Sequence, residues 1–268
     1  VTELSTARIA LAQMTSGDDL EANLAVAEAM IEEAAAGGAE LLAFPEVFLY
    51  LGGRRGKLAA AVPLDGPLVG RFRTQARRHR MALLLGSLHE RIPGDPGRVH
   101  NTSLLIGADG ELLARYRKLK LFDVELPHLT IRESDTIAPG EEPPPVVATP
   151  LGAAGLTICF DLRFAELYVD LRRRGAELLF VPSNFTAPTG AAHWEVLLRA
   201  RAIESQCYVL APAQVGQHNP RYRSWGHSMV VDPWGEVVAL APDRPCVLFA
   251  EIERERIARV RRELPMGR

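Results

Sequence analysis

An α/β protein is the fold class this sequence predicts. Short apolar runs of strand length alternate with longer segments whose apolar residues recur at helical spacing. The order strand, helix, strand, helix, strand, hairpin occurs in the first half and again in the second. No Pro-, Gly- or Ser-rich linker separates the halves, so residues 1–268 are expected to form one domain.

The elements follow in order. "ARIALAQM" (7–14) has the apolar density of a buried strand. Over 18–36, Leu20, Leu24, Ala27, Met30 and Ile31 keep helical spacing, after acidic residues and before Gly37-Gly38. "ELLAFPE" (40–46) is a short strand stopped by proline. Residues 66–80 read as a helix, 81–90 as a strand, and 101–117 as a hairpin turning at "ADGE". The polar segment 118–143 is too long for a routine connector and is expected to be a functional loop or flap. A strand at 155–159, a helix at 163–174, a strand at 176–185, a helix at 191–206 and a strand at 207–214 repeat the plan. A hairpin at 228–240, a strand at 246–252 and the helix "RERIARVRRE" close it.

Composition narrows the functional classes. The net charge is -2, so nothing global points to nucleic acid or an anionic membrane. The runs "RRHR" (77–80) and "RRR" (172–174) read as solvated helix faces or oligomer contacts. Three separated cysteines, Cys159, Cys207 and Cys246, argue against a disulfide framework and a zinc site. Neither a signal-peptide pattern nor an apolar run of membrane-spanning length occurs, so a soluble, cytoplasmic protein is expected. The histidines are scattered singly, as hydrogen-bonded structural residues usually are, and no metal or other cofactor is expected. Lysine stands only at 57, 118 and 120, leaving 28 arginines among the 31 basic residues. Where a lysine remains, arginine is a poor substitute for its compact ammonium. "GGRRGKL" (52–58) imitates a phosphate loop but lacks the first glycine, at Leu51, and the hydroxyl, at Leu58.

Three strand ends carry chemistry. Cys159 closes "GLTIC", where strand gives way to loop and helix, and sites in α/β folds are built at such ends. A helix start nearby offers N–H groups to a thiolate or oxyanion. Glu46 follows the apolar strand and proline of "FPEVF", where partial burial suits it to proton transfer. Lys118 and Lys120 flank Leu119 in "YRKLKLFD" at another strand end. A glutamate to take the thiol proton, a lysine to stabilise an oxyanion and a cysteine to form a thioester make a workable hydrolase. Cys159 is then expected to alkylate faster than Cys207 or Cys246, which begin apolar strands and read as core.

"FPEVF", "YRKLKLFD" and "GLTICFDLRFAEL", in that order, resemble the signature regions of the nitrilase, or carbon–nitrogen hydrolase, superfamily. "HNTSLLI", "PSNFTAPTGAAHWEVLLRARAIESQCYV", "GQHNP" and "GHSMVVDPWGEVVA" are similar to its Nit branch, and most to the deaminated-glutathione amidases there. The resemblance spans nearly the whole chain. It implies a four-layer α-β-β-α sandwich, eight-layered on dimerisation, and a homodimer or higher homo-oligomer acting on a small-molecule amide. It implies Glu46 as general base, Lys118 as oxyanion stabiliser, Cys159 as nucleophile, and Glu133 of "IRESD" as the second glutamate that positions the lysine and the attacking water. It places Arg163, Phe185 and Thr189 at the α-keto acid end of the substrate, where an arginine fork suits a carboxylate, with Phe160 bordering the pocket.

Four positions depart from the branch. Lys120 stands where histidine is frequent, Phe160 where tyrosine is usual, Asn184 where alanine or glycine is common, and "ELPHL" replaces a glycine-containing turn. The sequence ends at "LPMGR", short of the branch's basic and aromatic tail, so dimer contacts from that tail are expected to be missing. The resemblance implies cleavage of deaminated glutathione to 2-oxoglutarate and cysteinylglycine. Its rivals are ω-amidase action on α-ketoglutaramate and a non-catalytic ligand-binding scaffold on the same fold.

Overall fold

The computed structural model describes residues 6–126 and 129–266. Pro127 and His128 of "ELPHL" and the last two residues of "LPMGR" lie outside these.

The first half runs β1 (Thr6–Gln13), α1 (Leu20–Ala36), β2 (Leu41–Ala43), α2 (Arg54–Ala59), α3 (Pro67–His79), β3 (Ala82–Arg91), β4 (Val99–Ile106) and β5 (Leu112–Arg117). A small hairpin follows, β6 (Asp123–Leu126) and β7 (Leu129–Arg132), then a 3-10 turn at Glu133–Asp135. The second half runs β8 (Val146–Thr149), β9 (Gly152–Leu156), a 3-10 segment at Cys159–Arg163, α4 (Ala165–Arg173), β10 (Leu178–Phe180), α5 (Ala187–Ser205) and β11 (Tyr208–Ala211). It ends with β12 (Val215–Asn219), β13 (Tyr222–Trp225), β14 (Met229–Val231), β15 (Val237–Leu240), β16 (Cys246–Glu253) and α6 (Arg254–Glu263).

Two six-stranded sheets result, ordered β16-β1-β2-β3-β4-β5 and β15-β14-β11-β10-β9-β8. In each, three central parallel strands are flanked by antiparallel ones. The repeated plan read from the sequence is therefore a repeated sheet. Alternation along β1 assigns the layers. Ile9 and Leu11 join the second sheet's Leu156 and Leu179 in one core, while Ala10 and Ala12 join Ala27 and Ile31 of α1 and Phe72 of α3 in another. Helices α5, through Trp194 and Leu198, and α4, through Tyr168, cover the second sheet. The architecture is α-β-β-α.

Local chemistry sets the helix ends. Asp19 caps α1 by accepting from the N–H groups of Glu21 and Ala22, a cap of about 1 kcal/mol. Thr186 caps α5, and Pro188 sits in its first turn, where its missing N–H costs nothing. That is why α5 starts four residues before the expected 191.

Three expectations shift. The strand placed at 155–159 lies at Gly152–Leu156, because its ladder with β10 ends at the Leu156–Phe180 pair. The chain then continues through single bonds, Thr157 N–H to Phe180 O at 3.0 Å and Cys159 N–H to Pro182 O at 2.9 Å. The strand placed at 176–185 is regular only over Leu178–Phe180, so Ser183 to Phe185 form a loop. The polar segment 118–143 contains the β6–β7 hairpin and carries Glu133 back toward the sheets.

Candidate active site

The carboxyl ends of the central strands converge, where α/β sheets build sites. β2 leads through Phe44-Pro45 to Glu46. At the same level β3 has a register shift between Leu85 and Leu88. A Cβ at Gly86 would collide with the Phe44 carbonyl oxygen, so glycine lets the strands approach there. The shift turns Ser87 inward, and its Oγ accepts the Val47 N–H at 2.9 Å. Gln214 donates to the Glu46 carbonyl at 3.0 Å. Val47 is thereby held at φ 50°. Cys159 is held at φ 46°. Left-handed backbone costs of order 1–3 kcal/mol at non-glycine residues and persists where neighbours over-determine it. It occurs here directly after the glutamate and at the cysteine.

Glu46, Lys118, Cys159 and Glu133 are brought together. Lys118, only 2% exposed, donates to Glu46 Oε1 at 2.9 Å and to Glu133 Oε2 at 2.9 Å. Asn101 on β4 donates to both carboxylates, at 2.9 Å to Glu46 and 3.2 Å to Glu133. The Phe122 N–H donates to the same Glu133 oxygen, Oε2, at 2.6 Å. Glu133 is thus a half-buried member of the cluster, although its sequence surroundings are those of a solvated loop. The thiol of Cys159 meets the Glu46 carboxylate and the Asn184 backbone N–H.

Electrostatics assigns protons. Burial alone would lower Lys118, but the charges of Glu133 and Glu46 outweigh it and hold the ammonium well above its ordinary value. Burial alone would raise Glu133, and Lys118 outweighs it, so its carboxyl titrates below the usual range. Burial and the Glu46 charge push the Cys159 thiol well up, against weaker opposition from Lys118. The resting centre is a neutral thiol beside an ammonium clamped by two carboxylates. Such a thiol reacts by handing its proton to a neighbouring base during attack, rather than as a preformed thiolate.

Asp161 locks this turn. Its buried carboxylate accepts the Ile158 N–H at 2.9 Å, the Tyr116 hydroxyl at 2.8 Å and the Lys120 N–H at 3.1 Å, tying the Cys159 turn to the Lys118 segment. Asp161→Ala strands two buried donors and one half-buried one and is expected to cost about 3–5 kcal/mol. A denaturant midpoint within error of wild type would refute that role.

A cavity of ≈ 510 Å³ opens on one side of Cys159, lined by Lys57, His89, Ile131, Arg132, His218 and Tyr222 among others. A second, narrow cleft of ≈ 10 Å³ is lined by Phe160, Arg163, Phe185, Thr186 and Thr189. Phe122, Cys159 and Asn184 border both. The four residues implied for substrate binding therefore share one cleft beside the thiol. The Arg163 guanidinium lies 5.2 Å from the Phe185 ring centre and 5.7 Å from that of Phe160, with Nη1 3.1 Å from His193 Nδ1. Thr189 is hydrogen-bonded to Thr186 at 2.8 Å. Lys120 turns away, with its ammonium 4.6 Å from the Phe164 ring centre.

Sequence reasoning passed over Asn101, Tyr222 and Lys57. Asn101 lies in "HNTSLLI", but nothing local marks an amide that bridges two distant glutamates. Tyr222 donates to the Asn184 carbonyl at 3.1 Å, steadying the loop whose N–H faces the thiol. Lys57 did carry a signal, as one of three lysines in an arginine-rich chain. Among the described residues no cluster of three or more His, Cys, Asp or Glu is arranged to hold a metal ion, and no helix is long and apolar enough to cross a membrane.

Comparison with known proteins follows the same lines. The carbon–nitrogen hydrolase family model matches residues 8–262. The Caenorhabditis elegans nitrilase and fragile histidine triad fusion protein NitFhit is 47% identical over 260 residues, covering 96% of this chain. The chain spans only 59% of that fusion protein's length. Its crystal structure superposes with a TM-score of 0.92, covering 97% of this chain and 64% of that one. A Synechocystis deaminated glutathione amidase is 45% identical over 255 residues, 94% of each chain. Saccharomyces cerevisiae Nit3, a member of branch 10 of the nitrilase superfamily, is 30% identical with a TM-score of 0.89, covering 98% and 96%.

Proposed function

The chain belongs to the carbon–nitrogen hydrolase family, and from that premise we propose an amidase that cleaves deaminated glutathione to 2-oxoglutarate and cysteinylglycine. The observation that carries the chemistry is the Cys159 thiol set against Glu46, with the Lys118 ammonium 2.9 Å from the same carboxylate.

In the proposed reaction Glu46 takes the thiol proton as sulfur attacks the amide carbonyl carbon. The developing oxyanion is met by Lys118 and by the N–H of Phe160, which lies in the first turn of the 3-10 segment and has no acceptor within it. Glu46 returns the proton to the departing nitrogen, the C–N bond breaks, and a thioester remains. Water, deprotonated by Glu46 and positioned with Glu133, attacks the thioester and releases the acid and the thiol. One water is consumed, giving one carboxylic acid and one amine.

The substrate reading is supported by the two pockets that meet at Cys159. Arg163, beside Phe185 and Thr189, offers a guanidinium fork that pairs with a carboxylate, and the ≈ 10 Å³ cleft they line must widen to admit an α-keto acid. The larger cavity has room for a dipeptide, far more than ammonia needs. Steady-state kcat/KM on deaminated glutathione and α-ketoglutaramate, measured side by side, tests the choice. The first is expected to exceed the second by at least about tenfold, and the reverse order would overturn it. A cytoplasmic homodimer of this domain is also proposed. Val196 and Ile203, one helical face of α5, and the neighbouring Trp234 are exposed and apolar, as a self-association surface is.

A further inference from the structure

The wall of the large cavity holds a second lysine that the proposed chemistry does not use. Lys57 projects from α2, and its ammonium donates to Thr136 Oγ1 at 2.9 Å, just beyond the 3-10 turn that carries Glu133. Lys118 is ion-paired twice, whereas Lys57 forms no ion pair among the described residues. An ammonium has three donors, so a hydroxyl partner leaves two unspent. The remaining charges on this cavity, outside the cluster at Cys159, are Asp18 and Arg132. His89, also on the wall, is pushed down to about 3 by burial, with Lys57 adding to the effect, and stands neutral.

We propose that Lys57 is the anion-binding residue of the leaving-group side of the site, taking the terminal carboxylate of a peptide-like amine. The inference rests on the amidase reading and deepens it. Arg163 lines the cleft and Lys57 the cavity, and Cys159 borders both. A substrate with a carboxylate at each end and the scissile amide between fits that polarity. The centre itself, two carboxylates around one ammonium, carries a net negative charge that repels an anionic leaving group. A cation on the outer wall offsets that repulsion. Burial lowers the Lys57 ammonium from its ordinary value, against the charges of Glu133 and Glu46, and an incoming carboxylate would stabilise it. Its retention as lysine also has a reason: half-buried on a short helix, it presents a point charge where the bulkier guanidinium fork of arginine would need more room.

The test uses cysteinylglycine and its C-terminal amide as competitive inhibitors, with whichever keto-amide the wild type hydrolyses as reporter. The free dipeptide is expected to bind wild type roughly 10- to 100-fold more tightly than its amide, as a charge-assisted bond predicts. Lys57→Met should erase that difference. Lys57→Arg should restore part of it. Equal inhibition by both dipeptides in wild type, or an undiminished preference in Lys57→Met, would overturn the proposal. So would an equal loss of turnover on every substrate in Lys57→Met, which marks a structural role through Thr136. Failure of wild type on deaminated glutathione would instead overturn the substrate reading, since the inhibitor measurement does not depend on it.

Discussion

Replacing Cys159 by alanine is expected to lower kcat on any amide substrate by at least about 10⁴-fold while leaving the fold intact. Removing a nucleophile from a covalent mechanism leaves only positioning and oxyanion stabilisation, and losses of that size follow. Alanine tolerates φ 46° about as well as cysteine does, so the turn survives. Asp161 continues to hold it through Ile158, Tyr116 and Lys120. Two measurements check the outcome. Steady-state rates give the loss, and intact-mass analysis of quenched wild type should show an acyl adduct absent from the variant. Activity within about 100-fold of wild type in Cys159→Ala would rule out the thioester route. Binding of a keto-amide to wild type with neither turnover nor adduct would favour a non-catalytic scaffold instead.

Glu46→Gln is the second large effect, with kcat falling about 10³-fold, the range for loss of a positioned general base. The substitution is nearly isosteric. The glutamine oxygen still accepts from Lys118 and Asn101, and Lys118 keeps Glu133, so the melting temperature should move by only a few degrees. A pH signature separates loss of a base from simple disorder. The Glu46 charge is one of the groups that raise the Cys159 thiol, so removing it lowers that thiol toward its ordinary value. Without an internal base, attack must await thiolate formation by solvent. Residual activity in Glu46→Gln should therefore climb with pH through the alkaline range, more steeply than wild type. A flat alkaline profile with the same fractional loss at every pH would contradict the assignment.

Proton accounting also revises how the cysteines should be ranked. The sequence expects Cys159 to alkylate fastest, with a lysine nearby and a glutamate as its base. The cluster instead keeps it neutral at rest, because burial and Glu46 outweigh Lys118. Cys207 is sealed in the core, its sulfur 3.1 Å from the Ala176 carbonyl, and burial pushes it up to about 11. In the proposed mechanism the reactivity of Cys159 belongs to the pair it forms with Glu46, and no property of the cysteine's own sequence neighbourhood contains that.

The sequence by itself determined the alternation of strand and helix. Strand-length apolar runs such as 7–14 and helical spacing in α1 follow from where one chain segment can put its apolar side chains, a constraint local to each element. It also determined which strand ends carry Glu46, Lys118 and Cys159, since a polar group closing an apolar run is visible in one dimension. Only the tertiary structure decided where the strands stop, because a ladder ends when its partner turns away, as β9 does at Leu156 against Phe180. It decided that Glu133 turns in to pair with Lys118, that Asn101 bridges two carboxylates, and that Val47 and Cys159 take left-handed backbone without being glycine. It decided too that Lys57 and Arg163 line two different pockets that share one thiol. Each of these depends on groups far apart in the chain. Burial, charge coupling and backbone strain are properties of the assembled surroundings, and a residue's immediate neighbours do not fix them.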